Sequence, residues 1–285
     1  MTQRDSAVDA HAHLRPVSGR PPVREYLRQL VERRHFIVMQ AWVQTTHRNR
    51  GMLLGNLWLI LAPVMDGLVY FLIFGAVVGA GGKIPNFFGY LVIGIFMFTF
   101  TSRCLTAAVV AIPNNRGLIG AFAFPRASLP IAVTLRETIA TVPVVATMLI
   151  LIYAVPPHAL PRPAWWLIPF MMLLHAAFNM GLGFIIARIG AALPDVRQII
   201  PYVVRFWLYG SAVVFAAERF DSIPFLGSIV RANPMYLILD MYRQVLLNGS
   251  VPSPTAWATI TAWSLGLLVS GTLVFWQAEV SYGRR

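Results

Sequence analysis

Five charged residues stand inside otherwise apolar stretches: Asp66, Arg103, Arg136, Glu137 and Arg205. A charge at the centre of a bilayer costs about 3 kcal/mol on insertion scales, so such residues face a partner or a wet cavity. Two readings are open. Three bases and two acids can pair off as ion pairs between helices, or they can line a polar, net-positive conduit for an anionic substrate. Arg136 also stands close enough to the inner surface to snorkel. The residues around two of the charges have their own pattern. Tyr202, Arg205, Phe206 and Tyr209 share one helical face by the i, i+3, i+4, i+7 rule, and Trp58, Ala62, Asp66 and Tyr70 share another. Aromatic rings beside polar groups suit a sugar chain, which offers both C–H faces and hydroxyls. The alternative is plain packing between membrane helices.

Catalytic chemistry is not visible. GAGGKIP at 79–85 contains Gly-Lys, but a phosphate loop needs G-x-x-x-x-G-K-[ST], and residues 77 and 84 are Val and Ile. The chain is therefore not expected to hydrolyse ATP alone. His11 and His13 form an isolated HAH, while His158 and His175 lack partners at metal spacing. No metal site, catalytic residue or cofactor is expected. Cys104 is the single cysteine, so no intramolecular disulfide forms. The sequon NGS at 248–250 is a pattern match only.

The elements that carry these residues are membrane spans. The chain of 285 residues is 57% hydrophobic and 12% charged, against about 25% charged for soluble domains. Windows of about 20 apolar residues place six spans at 53–79, 88–112, 131–155, 164–187, 199–217 and 256–278. A further apolar piece, 223–247, is interrupted by Arg231, Asn233, Pro234, Asp240 and Arg243, and reads as two short re-entrant helices. The net charge of +12 falls mostly on loops, which indicates orientation rather than nucleic-acid binding. With both termini inside, fifteen of the 23 basic residues are cytoplasmic; Lys83, Arg162, Arg219, Arg231 and Arg243 lie outside. Trp165, Trp166, Trp257 and Trp263 mark the outer interface and Trp276 the inner one.

Residues 1–23 read as a disordered cytoplasmic tail, with no cleavable signal peptide visible in 1–50. Residues 24–50 read as an amphipathic interface segment. Leu27, Leu30, Val31, Val38, Ala41 and Trp42 fall on one face, and Arg24, Arg28, Glu32 and Arg33 on the other. Residues 51–285 form the spanning domain. The fold expected is all-α and integral to the membrane: six transmembrane helices, an N-terminal amphipathic interface helix, and re-entrant outer helices between the fifth and sixth spans.

One loop does not fit a solvated connection. NNRGLIGAFAFPRASLP, at 114–130, is cytoplasmic in this topology yet carries Leu118, Ile119, Phe122 and Phe124. Leu118 and Phe122 are i, i+4 neighbours on a short helix that Pro125 would stop, and Pro130 would open the third span. An exposed apolar face flanked by Arg116 and Arg126 needs a partner or the membrane surface.

These residues resemble the permease subunits of type-2 ABC exporters for cell-surface polysaccharides. The resemblance covers about 26–280. It rests on Arg48 followed by LLGNLWLILAP (53–63); on Leu118, Ile119, Phe124, Pro125, Arg126, Leu129 and Pro130; on Asp195-Val196; and on RANPMYLILDMYRQVLLNG (231–249). Two positions depart: Pro194 stands where the family often has Arg, and GSAVVFAAERF lacks the usual Pro at the end of the fifth span.

The resemblance implies a homodimer with a channel between subunits and two separate ABC ATPase subunits carrying Mg-ATP. The chain would then be a transport permease in the bacterial inner or plasma membrane, not an enzyme. Arg116, Leu118, Ile119, Phe122, Phe124, Pro125, Arg126 and Asp195 would couple to the ATPase. Trp58, Asp66, Tyr70, Arg103, Tyr202, Arg205, Phe206 and Tyr209 would line the path of a polyprenyl-diphosphate-linked polysaccharide, such as an O-antigen, a galactan or a teichoic-acid-like polymer. Arg48 and Arg50 would receive its diphosphate, and Asn233, Pro234, Tyr236 and Arg243 would form the outer gate. A type-2 exporter of a drug or lipid is the alternative.

Overall fold

The computed structural model describes residues 22–47, 55–77, 84–122, 124–217 and 224–283, all helical or irregular, with no strand among them. Arg48 and Arg50 lie outside the described residues.

The described residues begin with two helices, α1 (Val23–Glu32) and α2 (Arg34–His47), broken at Arg33. Their buried stripe is Tyr26, Leu30, Ile37 and Ala41. The stripe anticipated from the sequence shares Leu30 and Ala41 with it, but Leu27, Val31, Val38 and Trp42 are 45%, 61%, 52% and 55% exposed. The pair therefore has two apolar faces, one against the bundle and one pointing away from it.

The first apolar segment is helical from Gly55 to Val77. It is a 3-10 turn, then α3 (Trp58–Tyr70) with Pro63 inside, then a π-helical turn over Phe71–Val77. Next comes α4 (Phe87–Ala108), whose N-cap Asn86 accepts the Gly89 N–H at 2.9 Å. Leu91, Ile93, Met97 and Cys104 on α4 are 0% exposed, because α3, α6, α7, α8 and α10 all pack on it. A short helix α5 (Arg116–Ala121) follows a 3-10 turn. Then come α6 (Ser128–Ala154) and α7 (Ile168–Ala192), the latter preceded by a 3-10 turn from Pro163. Helix α8 (Val196–Gly210) is followed by α9 (Pro224–Ala232) and α10 (Pro234–Arg243). Helix α11 (Pro254–Gln277) is capped by Ser253, and a 3-10 turn covers Glu279–Gly283.

Among the described residues, four helices are long and apolar enough to cross a membrane: Phe87–Ala108, Ser128–Ala154, Pro163–Ala192 and Pro254–Gln277. The fifth span anticipated to residue 217 is cut short, because α8 stops at Gly210 after 15 residues. At 1.5 Å per residue that is about 22 Å, against a hydrocarbon core of roughly 30 Å. Residues 211–217 run on as buried irregular chain, with Ala212 in the left-handed region at φ 50°. The interrupted apolar piece forms two short helices, α9 and α10, split where Pro234 removes a backbone donor and Asn233 supplies a cap.

Helices α7 and α11 pack backbone to backbone. A Cβ on Gly181 would lie 2.4 Å from the Leu267 carbonyl carbon, and one on Gly271 2.3 Å from the Gly181 oxygen. Small residues let membrane helices approach this closely, where dispersion and weak polar contacts replace the hydrophobic effect. Alanine normally favours a helix over glycine by about 1 kcal/mol; at this contact the sign reverses. Gly181→Ala is expected to lower the melting temperature in detergent by several degrees. Gly120→Ala, with open space around it, should leave it unchanged or raise it.

Candidate functional site

Among the described residues, three places bring together the side chains singled out from the sequence. The first joins the two aromatic faces read separately from the sequence. Tyr70 on α3 stands close enough to Tyr209 on α8, and to Asp66 and Arg205, for all three to act on its hydroxyl. Asp66, Arg205 and Tyr209 are exposed, as are Trp58, Tyr202 and Phe206, the last two at 63% and 77%. Aromatic packing extends the face: Tyr70 stacks on Phe74 at 6.0 Å, and Phe74 meets Phe215 edge-on at 5.2 Å. Arg103 is not among the groups acting on Tyr70. It is half-buried on α4, where Thr106 Oγ1 donates to its carbonyl at 3.3 Å.

Arg136 and Glu137 do pair, but within α6 rather than between helices: Arg136 Nη2 and Nε donate to Glu137 Oε1 at 2.7 and 3.0 Å. The link from α6 to α2 is the Arg136 Nη1 bond to Gln44 Oε1 at 3.1 Å.

The second place is the break after Gly210. Ending a helix in apolar surroundings exposes carbonyls that need donors. Arg243, 5% exposed, supplies two: its Nη2 donates to the Ala212 and Val213 carbonyls at 3.0 and 3.2 Å. Its guanidinium carbon stands 3.4 Å from the centre of the Tyr90 ring. The Tyr90 hydroxyl donates to the Ala212 and Phe215 carbonyls at 2.8 and 3.0 Å. Asn233 Nδ2 donates to the Gly210 carbonyl at 3.0 Å and to Ser211 Oγ at 2.9 Å. Asn233 Oδ1 caps α10 through Met235 N–H and accepts from Trp207 Nε1 at 3.1 Å. Pro234 holds the first position of α10, and half-buried Tyr236 packs on Ala212, Ala217 and Val230. Four residues expected to act at the outer end thus cluster around one interruption. Tyr90 and Trp207 were not anticipated; nothing in the sequence marks them apart from neighbouring aromatics.

The third place surrounds α5. Ile119 is buried against Tyr26, Phe275 and Tyr282, and Phe124 lies 6.4 Å from the Phe36 ring. Pro125 is buried, while Arg116 is exposed and Phe122 is 64% exposed. The apolar face anticipated as one surface is divided: Ile119, Phe124 and Pro125 anchor the loop, with Leu118 half-buried, and Arg116 and Phe122 point away. Beside it a cavity of about 150 Å³ is lined by Ile112, Arg116, Arg188 and Tyr282, among others. Asp195 heads α8, exposed and without a side-chain cap bond.

Arg126 is drawn into a network that joins both ends of the chain. Its N–H donates to Glu279 Oε1 at 2.9 Å, its guanidinium donates to the Glu279 carbonyl, and Tyr26 donates to Glu279 Oε2 at 2.7 Å. The Tyr26 oxygen also accepts the Ala127 N–H at 3.1 Å. Tyr26 and Glu279 have no short-range signal in the sequence, being 253 positions apart. Burial raises the Glu279 pKa above the ordinary carboxylate value; the hydrogen bonds from Arg126 and Tyr26 and the Arg126 charge pull the other way. Burial, then the Glu279 charge, raises Tyr26.

A bundle of long apolar helices, with a polar aromatic face on α3 and α8 and an apolar-and-basic loop held at one end, defines a multi-pass membrane protein. The chain belongs to the ABC-2 type transporter family, whose model matches residues 39–247. Among its relatives is the O-antigen export system permease protein RfbA of Myxococcus xanthus. It is 24% identical over 251 residues, which cover 87% of this chain and 94% of the relative. The protein of the same name from Klebsiella pneumoniae is 24% identical over 209 residues, covering 72% of this chain and 77% of the relative.

Two expectations follow. Tyr90→Phe removes one hydroxyl shared by two carbonyls and should destabilise the protein by about 1–3 kcal/mol, read as a lowered melting temperature with the aromatic packing intact. The raised Glu279 pKa means that the folded protein holds this proton more tightly than the unfolded chain does. Its contribution to stability is full below the ordinary value of 4.5 and is lost as pH rises through the folded value. Melting temperatures measured across that range should therefore fall less steeply for Glu279→Gln than for the wild type.

Proposed function

We propose that this chain is the membrane-spanning subunit of an ABC transporter that exports a polyprenyl-diphosphate-linked polysaccharide, of the O-antigen, galactan or teichoic-acid-like class. The observation that carries this reading is the match to O-antigen export permeases over 87% of the chain. The exposed aromatic and charged groups that meet around Tyr70 support it. Rings suit the C–H faces of sugars, while Asp66, Arg205 and the tyrosines suit hydroxyls.

In this reading two copies face each other across the α3–α8 surface. Trp58, Asp66, Tyr70, Tyr202, Arg205, Phe206 and Tyr209 line the path, and Arg103 serves it from α4. Arg48 and Arg50 receive the diphosphate, since guanidinium forks pair well with phosphate oxygens. Six spans cross the inner or plasma membrane with both termini cytoplasmic. Helices α9 and α10 dip in from the outer side, with Asn233, Pro234, Tyr236 and Arg243 at the gate. Mg-ATP is hydrolysed on two separate ATPase subunits, which grip Arg116, Phe122 and Asp195; Leu118, Ile119, Phe124, Pro125 and Arg126 hold that handle on the bundle. The carrier is a permease and not an enzyme.

Depletion of the protein in its own cells, followed by extraction of lipid-linked glycans, tests this. Accumulation of a long polyprenyl-linked polymer inside, with loss from the surface, is the expected result. Unchanged surface glycan and no accumulated polymer would overturn the polysaccharide reading in favour of a drug or lipid. Phe122→Asp should keep the wild-type melting temperature but reduce recovery of the ATPase subunit in pull-downs at least several-fold.

A further inference from the structure

Enclosed polar atoms without a protein partner gather at one level of the bundle. They are His175 Nδ1, both amide atoms of Asn179, and the Tyr242 hydroxyl. The three residues are 1%, 0% and 0% exposed. His175 and Asn179 are one turn apart on the same face of α7. His175 Nε2 shares a 2.7 Å hydrogen bond with Thr101 Oγ1 on α4, and that hydroxyl lies 3.6 Å from Met235 Sδ on α10. The His175 ring is 6.1 Å from the Tyr242 ring.

The register extends this level along a seam. Thr101 meets His175, and a Cβ on Gly183 would stand 3.6 Å from that of Ala108. Contacts advance in the same direction on both helices, so α4 and α7 run parallel and Asn179 sits level with Cys104 and Leu105. Cys104 is 0% exposed and lies near enough to Glu137 and Arg136 on α6 for their charges to act on it. Polar groups of α4, α6, α7 and α10 therefore follow one another through a core that is elsewhere aliphatic and aromatic.

We propose that ordered water occupies this seam, bridging Asn179, His175 Nδ1 and the Tyr242 hydroxyl. Buried amides and hydroxyls are almost always hydrogen-bonded, and a buried water typically serves two to four such groups. Asn179 offers donors and an acceptor, and the tyrosine hydroxyl offers both, so bridging water satisfies them without a charge. The site joins α10 to α4 and α7 through bonds that can change partner. This inference does not rest on the identity of the exported substrate.

Synchrotron hydroxyl-radical footprinting of the full chain in nanodiscs tests it, because bound water yields radicals where it sits. Met235 and Tyr242 report the seam. Met97 and Met148, likewise 0% exposed, are internal controls of matched burial. Met235 and Tyr242 should be oxidised several-fold faster than Met97 and Met148. Asn179→Leu should bring them to the control rate while the melting temperature holds. Equal rates in the wild-type protein would overturn the proposal, and so would a folded Asn179→Leu variant with unchanged rates. The wild-type comparison decides the matter even if the variant does not fold.

Discussion

The fold turns on a need to satisfy carbonyl groups in the middle of an apolar bundle. Helix α8 ends at Gly210 with irregular chain still to be buried. Unpaired backbone groups are costly where water is excluded. Tyr90 comes from α4, and Asn233 and Arg243 from the two ends of α10, and all three place donors on residues 210–215. Their convergence gives the Arg243 side chain, 5% exposed, backbone carbonyls and the face of the Tyr90 ring as partners. Gly94 has to be a glycine for the same reason: a Cβ there would stand 2.7 Å from Arg243 Nη2. The break in turn lets α10 pack against α4 and α7 while Asn233 bonds the end of α8, the helix that carries Tyr202, Arg205, Phe206 and Tyr209.

At the other end, the same logic joins what the sequence keeps farthest apart. Glu279 follows the last long helix and Tyr26 sits in the first, yet both close on the backbone around Arg126. The junction ties α1, α6 and α11 together beside a loop whose Ile119 and Pro125 are buried and whose Phe122 points outward.

Much of the architecture was legible because membrane helices are signalled by length and hydropathy alone. The long helices begin or end within a few residues of the apolar windows. Helix caps were readable too: Asn233-Pro234 marks the start of α10 as a cap and first helical position should. The periodicity that placed Asp66 with Tyr70, and Arg205 with Tyr209, held, though only the structure could show the two faces meeting. On α1 and α2 the apolar residues Leu27, Val31, Val38 and Trp42 face outward, and the sequence pattern did not separate them from the inner face, made by Tyr26 and Ile37. Other features escaped the sequence for physical reasons. The fifth span looked continuous because Ser211 to Phe215 are as apolar as a helix would be. Its interruption depends on Tyr90 and Arg243, which are distant in sequence. The Tyr26–Glu279 contact has no periodicity at all.

The central claim is that the exposed face of α3 and α8 is the surface along which a glycan moves. The most direct measurement places a photo-activatable phenylalanine at Phe206 or Tyr202 in cells making the native polymer, with Leu173 on α7, equally exposed in the single chain, as the comparison. If the account is right, irradiation attaches carbohydrate-bearing lipid at Phe206 and Tyr202 and not at Leu173. Adducts with membrane phospholipid alone at all three positions would contradict it.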